Sequence, residues 1–277
     1  MNTGMRGAAA LAGLVLLLAG ISACGGGDNE EDEGPQARFD LVIGDLVPLS
    51  GDLAELGPAG QKAADLAVDR INSAIRETGA AQSVQIVHGD NGSDPAVAAQ
   101  AAQKMVDADG ASCLVGAWSA EDSLEVAESV SIPEGVLQIS PAPGNEEVSK
   151  LNDEELVNGV ATGVASYGAE SADFDELYES AKPSEVDLAP FASQAFDATI
   201  LCYLAAVAAG SAEGKEMALK LIDNTAPRGT EFSWEQLPDA AEALEAGEDI
   251  DYEGASGPID MDENGDASAS TTPSLSG

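Results

Sequence analysis

One histidine, three cysteines and a run of carboxylates are the residues whose types could carry chemistry in this chain of 277 residues. His88 ends the apolar stretch Val84-Gln85-Ile86-Val87, where a general base could stand. No cysteine or serine pairs with it in a nucleophile motif, and no Ser-His-Asp order is readable, so it reads as a strand-end histidine. Asp260, Asp262, Asn264, Gly265 and Asp266 match the opening of an EF-hand loop. Position twelve of that loop falls on Thr271 rather than a bidentate Glu, and a strand precedes it, so an Asn-Gly turn is the expectation. Asn91-Gly92-Ser93 has the form of a glycosylation sequon and reads as a turn. Cys113 and Cys202 lie in apolar stretches and are open to two readings, a disulfide or a pair of buried thiols. With a single histidine they cannot build a usual zinc site. No P-loop, HExxH or GxGxxG occurs. Neither metal, cofactor nor enzymatic activity is expected.

A different kind of chemistry is offered by four short loops: Pro48-Leu49-Ser50-Gly51, Gly89-Asp90-Asn91, Gly116-Ala117-Trp118-Ser119 and Ser140-Pro141-Ala142-Pro143-Gly144. They hold hydroxyls, amides and backbone N–H groups but no strong nucleophile, a set suited to holding a small polar molecule rather than breaking one. The elements that must position them alternate in period. Leu41–Gly44, Val84–Val87, Cys113–Gly116 and Val136–Ile139 are short apolar runs, as expected of strands buried on both faces. Between them lie helical spacings at 59–77, at 94–106 with Asp94 as N-cap and Pro95 at the first position, and at 120–131. This order predicts an α/β fold with a doubly wound parallel sheet, whose ligands would bind at the carboxyl ends of the strands. Beyond 149 the pattern weakens. Helices are expected at 174–180, 191–209, 215–223 and 235–246, and a strand entering a turn from Gly257.

The two ends read differently. Arg6 precedes an apolar run from Ala8 to Ile21, too short to span a bilayer, so residues 1–23 are expected to be a secretory signal peptide. Ile21-Ser22-Ala23-Cys24 resembles the bacterial lipobox, which implies a lipid anchor on Cys24 and an extracytoplasmic, membrane-attached protein. The alternative is an ordinary cleavage site beside an unmodified cysteine. Residues 24–38, glycines and then acids, read as a solvated tether. The formal net charge is −39, with 50 acids against 11 bases. A phosphate backbone would be repelled, so nucleic acid is excluded as a partner. The charge is open to two readings, solubility in a salty medium or simply a lineage with acidic surfaces.

A series of residues then resembles the branched-chain amino-acid binding proteins, the type I solute-binding proteins of ABC importers. Ile43-Gly44 through Pro48-Leu49-Ser50-Gly51 and Gly57 carries it, with the helix to Ile71-Asn72. Asp90 to Asp94-Pro95, Leu114-Val115-Gly116, Ile139-Ser140-Pro141-Ala142, Phe196-Asp197-Ala198, Gly257-Pro258-Ile259 and Asp262 to Asp266 continue it. The family has two αβ lobes closing on a ligand. The resemblance therefore implies a first lobe over 39–148, a crossover shortened to 149–173, a return segment over 174–266 completing that lobe, a polar tail over 267–277, and a second lobe that is largely missing. It also implies a small polar solute such as an amino acid, amide or urea, an ABC permease as membrane partner, and weakened trapping. The ligand-binding set it implies is Ser50, Leu56, Trp118, Ser119 or Ala120, Ser140, Ala142 and Gly144. For Trp118 two readings stand, an apolar wall or a helix-capping surface aromatic. A non-transport envelope protein that docks a partner through its single-lobe face is the alternative function.

Overall fold

The computed structural model describes residues 38–142, 148, 150–151, 160–162, 171–225, 227–262 and 264–266. Signal peptide, Cys24, tether, Gly144 and polar tail lie outside the described residues. Five parallel strands form the main sheet: β1 (Asp40–Val47), β2 (Ser83–Asp90), β3 (Cys113–Val115), β4 (Leu137–Ser140) and β5 (Val160–Thr162). Their order is β2-β1-β3-β4-β5, and all four pairings are parallel. β1 sits inside the sheet and buries residues toward both faces, which is why its sequence is a continuous apolar run rather than an alternation.

The helices are α1 (Gly57–Thr78), α2 (Pro95–Lys104), α3 (Ala120–Val126), α4 (Ala172–Ser180), α5 (Ala192–Ala209), α6 (Gly214–Leu221) and α7 (Leu237–Glu245). Asp94 caps α2 as its position predicts, accepting from the N–H groups of Ala96 and Val97 at 3.0 and 3.1 Å. Leu46, Leu114, Ala98, Ala102, Met105, Val126 and Val130 make the core on one face of the sheet. Leu41, Ile43, Val115, Ile139, α1 and α5 make the larger core on the other. Helices on both faces of a parallel sheet give the doubly wound α/β fold. α5 is long and apolar enough to cross a membrane, yet 16 of its 18 residues are buried inside the domain. It is a core helix, stapled to β3 by a disulfide between Cys113 and Cys202.

Three strands depart from expectation. β5 lies in the stretch 149–173 read as a strandless crossover. β6 (Thr230–Ser233) and β7 (Ile250–Gly254) flank α7 and pair in parallel, and β8 (Gly257–Pro258) closes an antiparallel hairpin on β7. Burial alternates along β7: Ile250 and Tyr252 are buried, Asp251 and Glu253 less so. The turn after β8 is built as an Asn-Gly turn. Asp262 accepts from the N–H groups of Asn264 and Asp266, so its carboxylate is spent on its own loop.

Candidate functional site

In this strand order the chain reverses direction between β1 and β3, the position at which open α/β sheets hold ligands outside the strands' carboxyl ends. Pro48–Gly51 follows β1, Gly116–Ser119 follows β3, and α1 begins beside them. The rim nearest β1 and β2 is tied by one carboxylate. Asp90 Oδ1 accepts from the N–H groups of Leu49, Ser50 and Gly92 at 3.0, 3.0 and 2.9 Å, and Ser50 Oγ donates to Asp90 Oδ2 at 2.6 Å. Partial burial pushes the Asp90 carboxyl upward, but the Ser50 hydroxyl and the three N–H groups outweigh it and hold it below the usual carboxylate range. Ser93 adds a second tie, its hydroxyl donating to the Ser50 carbonyl and accepting from the Leu53 N–H. The Asn91-Gly92-Ser93 turn closes on itself, with Ser93 N–H donating to Asn91 Oδ1 at 2.9 Å.

The β3 side is braced from beneath. Ser123 Oγ and Ser140 Oγ both donate to the Ala117 carbonyl, at 2.6 and 2.8 Å. Gln138 Nε2 donates to the Gly116 and Ser123 carbonyls, and Ser131 Oγ donates to Gln138 Oε1 at 2.7 Å. Gly116 has φ +130° and backs onto the Leu46 carbonyl, a conformation and a contact that leave no room for a side chain.

These bonds sort the expected ligand residues. Ser50 is exposed at the rim with its hydroxyl engaged by Asp90. Leu56 is half-buried at the start of α1. Ser119 is half-buried and caps α3, accepting from the Asp122 N–H at 3.0 Å, and Ala120 follows it. Ser140 and Ala142 are buried, so the Ser140 hydroxyl faces the interior rather than the open edge. Trp118 is only 4 % exposed. Its ring lies against Gly60 of α1 and edge-on to Phe191, with centroids 6.4 Å apart. The surface-capping reading of Trp118 is therefore wrong; Ser119 supplies the cap instead. The structure thus brings Ser50, Leu56, Trp118, Ser119 and Ala120 to one edge and withdraws Ser140 and Ala142 into the core.

Two ionisable clusters escaped the sequence reading. His88 lies between two carboxylates, Nδ1 at 2.8 Å from Asp45 Oδ2 and Nε2 at 3.0 Å from Asp65 Oδ1. Burial lowers its pKa, but the bonds to Asp45 and Asp65 prevail and raise it from 6.5 to about 10. Asp45 is fully buried, and burial pushes its carboxyl up against the pull of His88. Each ring nitrogen faces a carboxylate oxygen, an arrangement that favours an imidazolium bridging α1 to β1 and β2 over a free base. Asp197 on α5 is the second. It accepts from Tyr252 OH, the N–H groups of Ala255 and Ser256, and Ser256 Oγ, at 2.9, 2.8, 2.7 and 2.6 Å. Burial pushes its pKa up to about 6 despite these four donors. Two surface hollows of about 190 and 360 Å³ meet at Arg70, beside Glu235 and Trp234. α1 runs back along the sheet from the carboxyl edge, so Arg70 lies well along it from the switch point, and the hollows are not the solute site. Among the described residues no group of histidines, cysteines and carboxylates could hold a metal ion.

Comparison with known proteins agrees with this fold. Residues 40–154 match a family model described as periplasmic binding protein. A Leu/Ile/Val-binding protein homolog of Brucella abortus is 30% identical over 117 residues, which cover 42% of this chain and 30% of the relative. The chain thus spans about 30% of the length of the curated relatives it matches. The branched-chain amino-acid transporter substrate-binding protein LivJ of Streptococcus pneumoniae, solved with isoleucine, superposes with a TM-score of 0.59 at 16% identity, covering 83% of this chain and 94% of that one. A leucine-binding protein of Thermotoga maritima gives 0.53 at 13% identity, covering 82% and 93%. A solute-binding protein of Rhodopseudomonas palustris bound to 3,4-dihydroxybenzoic acid gives 0.55 at 11% identity, covering 81% and 89%. At these identities the superpositions speak for the fold.

Proposed function

We propose that this chain, a member of the type I periplasmic-binding-protein family through residues 40–154, binds a small solute outside the cytoplasm and passes it to an ABC permease. The observation that carries the reading is the reversal of strand order between β1 and β3, with the Asp90-tied rim and the braced Gly116–Ser119 loop on either side of it. Such a pre-shaped edge loses little entropy on ligand capture. Relatives and structural neighbours whose names mention leucine, isoleucine and aromatic acids support amino acids or aromatic carboxylic acids as cargo. Ser50, Leu56, Trp118, Ser119 and Ala120 are the contacts proposed for it, with Ser140 and Ala142 buried beneath them. Lipidation of Cys24 would keep the protein at the outer face of the cell membrane. The Cys113–Cys202 bond supports an oxidising compartment.

A melting-point scan of the mature chain against millimolar amino acids, aromatic acids, amides and urea tests the proposal. A solute at 100 times its Kd adds about 2.7 kcal/mol of stability. A shift confined to one solute class would name the cargo. A melt unmoved by every class would count against solute binding and for an envelope protein that docks a protein partner through the same edge.

A further inference from the structure

Residues 181–191, between α4 and α5, cross the first turns of α1 as a strap, and three buried donors, on Lys62, Tyr178 and Trp118, lie beneath them. Lys62 is 3 % exposed and has no carboxylate partner among the described residues. Its Nζ lies 4.0 Å from the Tyr178 ring centroid and donates to the Val186 carbonyl at 3.3 Å. Tyr178 OH donates to the Asp187 carbonyl at 3.3 Å and reaches the Ala59 carbonyl at 3.5 Å. A buried ammonium that meets only a carbonyl and an aromatic face is poorly compensated. At the strap's other end Phe191 covers Trp118, whose indole Nε1 is buried with no acceptor. Phe191 has φ +69°, left-handed backbone that costs a bulky residue energy and collects where a segment must move. The bond within the strap, Val186 N–H to the Pro183 carbonyl, is long at 3.5 Å, and its far end is tied to α5 by Ala195 N–H donating to the Phe191 carbonyl at 3.0 Å.

We propose that residues 181–191 are a displaceable strap over a carboxylate subsite. Lys62 Nζ and Tyr178 OH, which now donate to two strap carbonyls, would take the carboxylate of a ligand. Its aromatic or branched apolar body would lie against Trp118 once Phe191 swings away. The strap carbonyls occupy the donors as a ligand's oxygens would, so strap and ligand compete. The apparent affinity is then the intrinsic affinity multiplied by the fraction of molecules with the strap open. The chemical class selected is a monocarboxylate with an apolar body, because the donors and the cation leave an amide or an amine without its match. The inference shares Trp118 with the strand-edge site and to that extent rests on the solute-binding reading.

The test is calorimetric titration of the full chain with 3-phenylpropionate, 4-methylpentanoate and the amides of both, with hydrogen exchange of the strap amides followed alongside. The carboxylates should bind at least tenfold more tightly than the amides. Lys62→Met keeps the stem and removes the charge, and should weaken carboxylate binding at least tenfold. Phe191→Ala removes the ring that covers Trp118 and keeps the left-handed backbone cost of the closed strap, and should tighten it by roughly three- to tenfold. Exchange at residues 186–191 should quicken when 3-phenylpropionate is bound. Carboxylate binding unchanged by Lys62→Met overturns the subsite. So does strap exchange that stays constant or slows, and so does a failure of both carboxylates to bind wild type and Phe191→Ala. A melting shift with an amino acid that Lys62→Met leaves intact would still uphold the strand-edge reading, so the two failures are distinguishable.

Discussion

Removing the Cys113–Cys202 bond with the double substitution Cys113→Ala/Cys202→Ala should cost the fold a large part of its stability. The bond joins residues 89 apart, β3 in the sheet and α5 in the core. In the chain-entropy account a closed loop of that length restricts the unfolded chain by about 4–5 kcal/mol at 25 °C. Both sulfurs are fully buried, so the alanines also leave small cavities. Against a usual net stability of about 5–15 kcal/mol this is a third or more. Urea unfolding followed by circular dichroism measures it, and reductant supplies the control. The wild-type curve should move toward that of the double variant when dithiothreitol is present, and the variant's own curve should not move. A difference between the two proteins below about 1 kcal/mol, or one that dithiothreitol leaves intact, would refute the reasoning.

His88 is the chain's one histidine, so a single imidazole signal reports it. Its folded pKa of about 10 lies above the usual histidine value of 6.5, so the stability it supplies is fully present below pH 6.5 and is lost as pH rises toward 10. The NMR signal should show no titration between pH 5 and 8, and a midpoint near 6.5 would contradict the bridge. His88→Gln, which leaves Asp45 buried without its cation, should cost about 3 kcal/mol in denaturant unfolding. Asp197→Asn puts an amide among four donors and should cost about 2–4 kcal/mol. Because the Asp197 carboxyl is raised from 3.8 to about 6, the fold binds that proton more tightly than the unfolded chain, and this group's contribution falls as pH climbs through that window. Melting points of Asp197→Asn between pH 4 and 6 should lack that slope. Gly60→Ala sets a methyl into the Trp118 ring and should cost about 1–3 kcal/mol with a change in tryptophan emission, while an unchanged spectrum would mean the contact is loose.

The main sheet was legible because its strands and helices carry opposite periods: Leu41–Gly44 is a continuous apolar run, and Ala64, Ala67, Val68 and Ile71 repeat at helical spacing. β5 was not, since Val160-Ala161-Thr162 is only three residues among glycines, alanines and acids. β7 carries a signal that was overlooked, its acids alternating with Ile250 and Tyr252. The edge loops were found as glycine-rich punctuation after each strand. Which way a hydroxyl points was not legible. Ser140 turns inward because the Ala117 carbonyl, 23 residues earlier, needs a donor there. Asp45 looks like an interruption of an apolar strand until β2 brings His88, 43 residues later, alongside it in register. Partners of that separation are set by topology, and no local pattern encodes them.

The same bonds bear on how the edge would work. Asp90 joins the loops after β1 and β2 into one body, and Gln138, Ser123 and Ser140 fix the loop after β3 to the core. The loop after β3 cannot move far without breaking several buried hydrogen bonds, each lost donor or acceptor costing about 1–3 kcal/mol, while the exposed Asp90 bonds make the loops after β1 and β2 move together. Residues 181–191 are held by one bond from α1 and one from α4, both 3.3 Å, by one ring contact and by the packing of Val186, Leu188, Ala189 and Phe191 on the core, with no comparable hydrogen-bond network. Motion on ligand capture is therefore assigned to the strap rather than the strand-edge loops. Hydrogen exchange should show residues 186–191 exchanging faster than the backbone of Gly116–Ser119 even without ligand. Equal protection in the two segments would mean that the strap is as fixed as the edge.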